Sequence, residues 1–214
     1  MNHATETVGR KIVIHGGWNG SDLFNDLWIF NTDSFAWIQP KTAGFGPTPR
    51  FGHSINLLHD GRVIMYGGCS VNRETGVPKY LNDVRQLDTE SMLWTRPRIS
   101  GNVPTARYGH GARVVSGHNL IVCGGWGTLG VQSSDEINNP DAHVMHCLDS
   151  TTMTWRVVNL AGRKPLRALY NHSIAVSGTT LYIHGGFDGK QASFDYFEVD
   201  LISDATQTAG SEPI

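Results

Sequence analysis

Ile12-Val13-Ile14-His15-Gly16-Gly17 is a short apolar run closed by a glycine pair, and the chain writes it four times. The other copies are Val63-Ile64-Met65-Tyr66-Gly67-Gly68, Leu120-Ile121-Val122-Cys123-Gly124-Gly125 and Leu181-Tyr182-Ile183-His184-Gly185-Gly186. A repeat of this length decides the architecture before any single residue is weighed, because each unit must bury its apolar surface against a neighbour.

The repeat extends to both sides of the glycine pair. A His stands 13 or 14 residues before each first Gly: His3, His53, His110 and His172. An Asn or Asp is followed six residues later by Trp in three copies, Asn31 to Trp37, Asp88 to Trp94 and Asp149 to Trp155. In the fourth copy Asp200 leads to Thr206, so that Trp is missing. An Arg precedes the His of copies two to four: Arg50, Arg107 and Arg167. Asn2-His3-Ala4 matches Asn171-His172-Ser173, so residue 1 falls at the start of a repeat.

These residues resemble the kelch repeat: a turn ending in Arg, a His-containing strand, a hydrophobic strand ending in Gly-Gly, a strand ending in Asp, and a Trp. The resemblance runs over residues 2–202 and implies an all-β fold, a β-propeller of about four blades with four antiparallel strands each. The residues read alone agree. Each unit holds four short strand candidates, a to d, divided by turn residues, with no helical periodicity between them. In the second copy they fall near 54–58, 63–67, 84–88 and 94–96. Asp60-Gly61 and Ser177-Gly178 supply hairpin chemistry between a and b. The b strands are apolar throughout, as strands covered on both faces should be. The glycine pair reads as a turn where neighbouring blades crowd and positive φ is needed. The Trp reads as a plate packed between blades.

Blade boundaries are expected near 2–49, 50–106, 107–167 and 168–209, in a single domain. Kelch propellers usually carry more blades than this. Ala4-Thr5-Glu6-Thr7-Val8 looks too polar for an innermost strand, and residues 206–209 lack their Trp. The chain is therefore read as a partial or incomplete propeller. A small closed ring, and an open array joined by self-association through exposed blade edges, stay open beside it.

Composition excludes several function classes. Net charge is −2, from 17 basic and 19 acidic residues, which gives no footprint for nucleic acid or an anionic membrane. No apolar run is long enough to span a bilayer, and no signal segment opens the chain. Hydrophobic residues make up 39% of the chain, enough for a real core in 214 residues. Cys69, Cys123 and Cys147 are odd in number and show no paired spacing, which points to reduced thiols and an intracellular, cytoplasmic protein.

Antiparallel order sends the b–c loops and the interblade d–a loops out on one face. The b–c segments, 18–25, 69–82 and 126–142, are long and variable, the usual property of recognition loops. Aromatic and Arg residues dominate binding hot spots. The partner-contact set expected on that face is Trp18, Arg50, Arg73, Tyr80, Arg107, Trp126, Arg167 and Phe187. Asn19, Asp22, Lys79, Asp135 and Asp188 join Arg73 and Tyr80 as loop-tip specificity residues. The repeat Arg have a structural reading too, as ties between blades. The repeat His read as rings hydrogen-bonded to backbone between blades.

No catalytic set, metal site or cofactor emerges. In Asp141-Ala142-His143-Val144-Met145-His146-Cys147, His143 and Cys147 share one strand face and His146 takes the other, which prevents a compact site. Nothing identifies the Tyr/His copper ligands of galactose-oxidase-like propellers. The Glu-x3-Asp-x3-His pattern of iron-dependent specifier proteins, begun at Glu136, meets Pro140 and Val144. Only the Arg set keeps sialic-acid mutarotase-like chemistry in view. The reading adopted is a non-catalytic interaction scaffold with a protein partner; its alternative is a small-molecule-binding or carbohydrate-active enzyme using the channel mouth.

Overall fold

A computed structural model of the chain describes residues 1–72, 74–127, 144–158 and 169–201. Among these residues every regular element is a strand. The first sheet runs β1 (Ala4–Val8), β2 (Lys11–Trp18), β3 (Leu23–Asn31), β4 (Ala36–Ile38) in simple antiparallel order. The second holds β6 (Ser54–Leu57), β7 (Arg62–Val71), β8 (Pro78–Asp88) and β9 (Leu93–Thr95), the third β11 (Gly111–Val115), β12 (Asn119–Cys123), β13 (Met145–Asp149) and β14 (Thr154–Val158). In the fourth, β15 (Ser173–Ser177), β16 (Thr180–His184) and β17 (Tyr196–Asp200) are described; the expected d strand lies outside the described residues. These are the four blades of a β-propeller.

Two short strands were not foreseen. β5 (Ala43–Gly44) and β10 (Ser100–Gly101) pair in parallel with β9 and β14, so the linker leaving one blade becomes the outermost strand of the next. Strands b and c also run longer than expected in the second blade. β7 continues past the glycine pair to Val71 and β8 begins at Pro78, so most of the segment expected as a loop at 69–82 is ladder. The register shifts between Tyr66 and Gly68, which makes the glycine pair a β-bulge inside a long hairpin. At that bulge only glycine fits. Gly67 and Gly68 have φ of 65° and 100°, and a Cβ on Gly67 would lie 2.9 Å from Arg107 O and 3.0 Å from the His110 ring.

The Asn/Asp-to-Trp spacing has a local cause. Asp88 Oδ1 accepts the amides of Glu90 and Ser91, and Met92 then takes a φ of 55°. Asn31 and Asp149 cap the same turn, with Phe35 and Met153 in the positive-φ place. Six residues on, the Trp begins or centres strand d.

Packing between blades makes three cores. One face of blade 1 (Val13, Leu27, Ile29) meets Val63, Met65, Leu87 and Trp94 of blade 2. Ile64, Tyr66 and Val84 on the other face of blade 2 meet Leu120, Leu148 and Trp155 of blade 3. Ile121, Cys147 and Val158 meet Leu181, Ile183 and Val199 of blade 4. The innermost strands touch in chain order, β1 to β6 to β11 to β15, and line an axial channel of about 540 Å³. This accounts for the polarity of the first strand, which is a strand despite its sequence: Thr5, Glu6 and Thr7 face the channel. Among the described residues, β15 and β1 make no contact comparable with the other three pairs.

Trp94 and Trp155 are 3% and 1% exposed, whereas Trp37, on a face of blade 1 that no other described blade covers, is 59% exposed. Trp94→Ala should therefore cost about 3–5 kcal/mol in denaturant unfolding, and Trp37→Ala no more than about 0.5 kcal/mol. Equal losses at the two positions would contradict this packing.

Candidate functional site

The blades are stapled at their upper ends. The Arg50 amide donates to Phe24 O (3.0 Å) and its carbonyl accepts from the Gly17 amide (2.8 Å), both in blade 1. Its guanidinium donates to Gly67 O (2.9 Å) and grips the Asp83 carboxylate through two nitrogens (2.7 and 3.1 Å), both in blade 2. Arg107 repeats the motif one blade on: its carbonyl accepts from Gly68 (2.8 Å) and its Nη1 donates to Gly124 O (2.7 Å). Both Arg are buried, at 1% and 0% exposure, so neither presents its side chain to a partner as expected; the guanidiniums are consumed in joining blades. Burial opposes ionisation of Asp83, yet Arg50 and Arg85 hold its carboxyl below the usual carboxylate range.

The fourth repeat departs from this pattern. Leu169 stands three residues before His172, as Arg50 does before His53, and its carbonyl accepts from Gly125 (2.8 Å). Leu169 is buried where the Arg would be. Arg167 is two residues out of phase and lies outside the described residues.

His53, His110 and His172 each reach a side chain of the preceding blade, and His172 also has the backbone partner expected, at Leu169. His53 Nε2 lies 3.1 Å from His15 Nδ1, His110 Nε2 2.9 Å from Ser54 Oγ, and His172 Nε2 3.6 Å from Cys123 Sγ. Burial holds these imidazoles neutral. His15 is lowered to about 3 by burial and Arg50, and His110 to about 3 by burial with Arg107 and His172. Burial also lowers His172 to about 4, and carries His53 well below its ordinary value. His3 is exposed.

Around the channel mouth the aromatic residues form a continuous collar. Trp18 lies 6.0 Å from Phe51, Phe51 5.5 Å from Tyr108, and Tyr108 6.1 Å from Tyr170. Tyr170 in turn touches Trp126 (5.3 Å) and Phe187 (5.6 Å), and Tyr80 stacks on Tyr108 at 5.7 Å. Backbone bridges Tyr108 to Trp126 and Tyr170 to Phe187 bring the d–a and b–c segments side by side. All seven rings are half-buried. Burial, with Tyr170 and Tyr80 nearby, pushes the Tyr108 hydroxyl up to about 12, so it stays protonated at neutral pH.

The structure thus gathers Trp18, Tyr80, Trp126 and Phe187 from the expected set. It adds Phe51, Tyr108 and Tyr170, whose signal was legible: an aromatic two residues before the repeat His, as in Phe51 to His53, Tyr108 to His110 and Tyr170 to His172. Asn19 and Asp188 spend their side-chain oxygens on turn amides. Asp22 and Lys79 are exposed; Arg73 and Asp135 lie outside the described residues. So does His143, while His146 and Cys147 are buried on opposite faces of β13. Among the described residues no cluster of His, Cys, Asp or Glu could hold a metal, and no helix is long and apolar enough to cross a membrane. The three cysteines are buried and free.

Residues 1–186 match the family model of the KLHDC2/KLHL20/DRC7 Kelch-repeats domain, and the chain belongs to the kelch-repeat family. It is similar to Kelch domain-containing protein 3 of Bos taurus, 33% identical across 87% of this chain and 48% of that protein. It is also similar to Acyl-CoA-binding domain-containing protein 4 of Arabidopsis thaliana (31% identical; 86% of this chain, 26% of that protein). Host cell factor 1 of Rattus norvegicus is 29% identical over 91% of this chain and 10% of its own length. The chain thus spans half or less of the relatives it matches.

Arg50→Ala leaves Asp83 without its bidentate partner and frees Gly67 O inside the joint, so it should cost about 3–5 kcal/mol in chemical denaturation; a loss below about 1 kcal/mol would remove the staple from the account. The buried His set a pH dependence. Their folded values lie below the unfolded value of 6.5, so the unfolded chain binds more protons between those limits. Their contribution is full above pH 6.5 and declines as pH falls from there toward about 3. The melting temperature should drop on this descent, and His110→Gln should flatten it; an unchanged slope in that variant would contradict the neutral buried ring.

Proposed function

We propose that this chain is a non-catalytic interaction scaffold that takes a protein partner on the face carrying the b–c and interblade loops. The observation that carries this reading is the collar: seven half-buried aromatic rings, contributed by all four blades, held on a rigid scaffold around one opening. Membership of the kelch family supports it. So does the use of Arg50 and Arg107 inside the joints, which leaves neither guanidinium in the channel, where Arg113 lines the wall. Among the described residues lining the channel Glu6 alone is acidic, so no carboxylate pair for glycoside chemistry faces the axis among them. The same reading places the protein inside the cell, where three free buried thiols persist, and includes self-association through the open ends of the array.

Affinity capture followed by titration tests it. Tyr108→Ala and Trp126→Ala should each weaken a captured protein partner by more than about tenfold, equal to about 1.4 kcal/mol, while leaving the melting temperature within a few degrees. Arg10→Ala, at an exposed a–b turn on the opposite end, should have no effect. Undiminished binding in both collar variants would move the partner face elsewhere.

A further inference from the structure

Two neighbouring joints of this propeller share one plan, but only one of them is sealed at the end that carries the a–b turns. Register sets the correspondence. Lys11 with Asn31 and Val13 with Ile29 in blade 1 occupy the places of Arg62 with Asp88 and Ile64 with Gln86 in blade 2. Val13 and Ile29 face blade 2, and Ile64 faces blade 3.

Between blades 2 and 3 the turn His59-Asp60-Gly61 reaches across, and the His59 amide donates to Gly117 O of blade 3 (2.8 Å). Arg62 folds over its own sheet: Nη1 donates to Gln86 Oε1 (3.0 Å) and Nε to Asp60 Oδ2 (2.9 Å). The turn of blade 1, Gly9-Arg10, is one residue shorter. Arg10 stays within its own blade, where its carbonyl accepts from the Thr32 amide (3.0 Å) and its guanidinium pairs with Asp33 (2.9 Å). Among the described residues no hydrogen bond links this turn to blade 2. Ile29 stands where Gln86 would receive the neighbouring cation, so the Lys11 side chain has no partner among the described residues.

What stays open is a cavity of about 360 Å³ between blades 1 and 2, a size that suits a small ligand. Its floor is aliphatic: Val13, Leu27, Ile29, Leu87 and Met92. Two exposed charges line it, Lys11 from blade 1 and Glu90 from blade 2, and they do not pair with each other. Glu90 takes the place that Thr151 holds in blade 3, and the turn itself is capped by Asp88, so this carboxylate is not spent on the repeat. The walls belong to faces of blades 1 and 2 that are turned toward each other, so the cavity does not depend on what stands beyond either end of the array.

The chemistry selects an occupant. An aliphatic floor favours an apolar body by taking its surface out of water. Arg10 and Asp33 neutralise each other, which leaves one free cation and one free anion. A simple acid would be repelled by Glu90 and a simple amine by Lys11, whereas a molecule with both charges satisfies both. We propose that this cavity binds a free α-amino acid with an apolar side chain: its carboxylate on Lys11, its ammonium on Glu90, and its side chain in the slot between the blades. The site lies at the end opposite the aromatic collar, so it is separate from the protein-binding face.

Titration of L-leucine into the 214-residue chain, followed by methyl NMR, tests it. The Leu87 and Met92 methyl signals should move and saturate, while Met145, buried between blades 3 and 4, should stay in place. Isocaproate, which lacks the ammonium, and isoamylamine, which lacks the carboxylate, should each bind at least about tenfold more weakly, as should leucine to Lys11→Ala and to Glu90→Ala. Both side chains are exposed, so both variants should keep the wild-type melting temperature. No saturating shift up to the solubility of leucine overturns the site. Isocaproate or isoamylamine binding as tightly as leucine overturns recognition by two charges, and with it the amino acid. Unchanged affinity in both variants overturns the assignment to this cavity.

Discussion

The close approach of neighbouring blades at the glycine pair is the constraint on which the structure depends. A thin sheet cannot bury both of its faces alone, so each blade is stable only against the next. At the joint, a repeat His and the carbonyl of the residue three before it press onto the preceding blade's bulge, within 3.0 Å of where a Cβ on Gly67 would stand. Glycine is required there for space and for backbone sign together. The Arg staple, the Trp plate and the buried neutral imidazole all serve this contact.

The joint also determines what is left for recognition. Arg50 and Arg107 donate to carbonyls that the bulge turns away from the ladder, and so disappear from the surface. The residues just beyond them, Phe51 and Tyr108, are carried to the mouth by the same turn and laid beside the b–c segments. The two neighbours divide the work: the repeat Arg is spent in the joint, and the aromatic residue after it lies at the mouth. At the loop tips Asn19, Asn72 and Asp188 use their side chains to close their own turns, while Asp22 and Lys79 stay exposed.

Polarity in the first strand carries a related lesson. Thr5, Glu6 and Thr7 were expected to disqualify an innermost strand, but an innermost strand in a propeller has one edge on the open axial channel. Hydrophobic alternation measures burial between blades; it does not report position along the radius. The same limit applies to the unforeseen β5 and β10, whose only local marks are a small residue and a glycine, Ala43-Gly44 and Ser100-Gly101. Two-residue parallel pairing has no periodicity to read.

Local chemistry repeated in step was enough to determine the blades, their four-strand order, the hairpin turns, the bulge glycines and the interblade Trp, because each depends on residues a few positions apart. Only tertiary structure decided which residues remained accessible. Trp37, Trp94 and Trp155 are the same residue in the repeat, yet one lies open and two are buried, because burial depends on whether another blade stands in front. Arg50, Leu169, His3 and His184 follow the same rule: their type is written in the chain, and their surroundings come from a neighbour that no local pattern encodes.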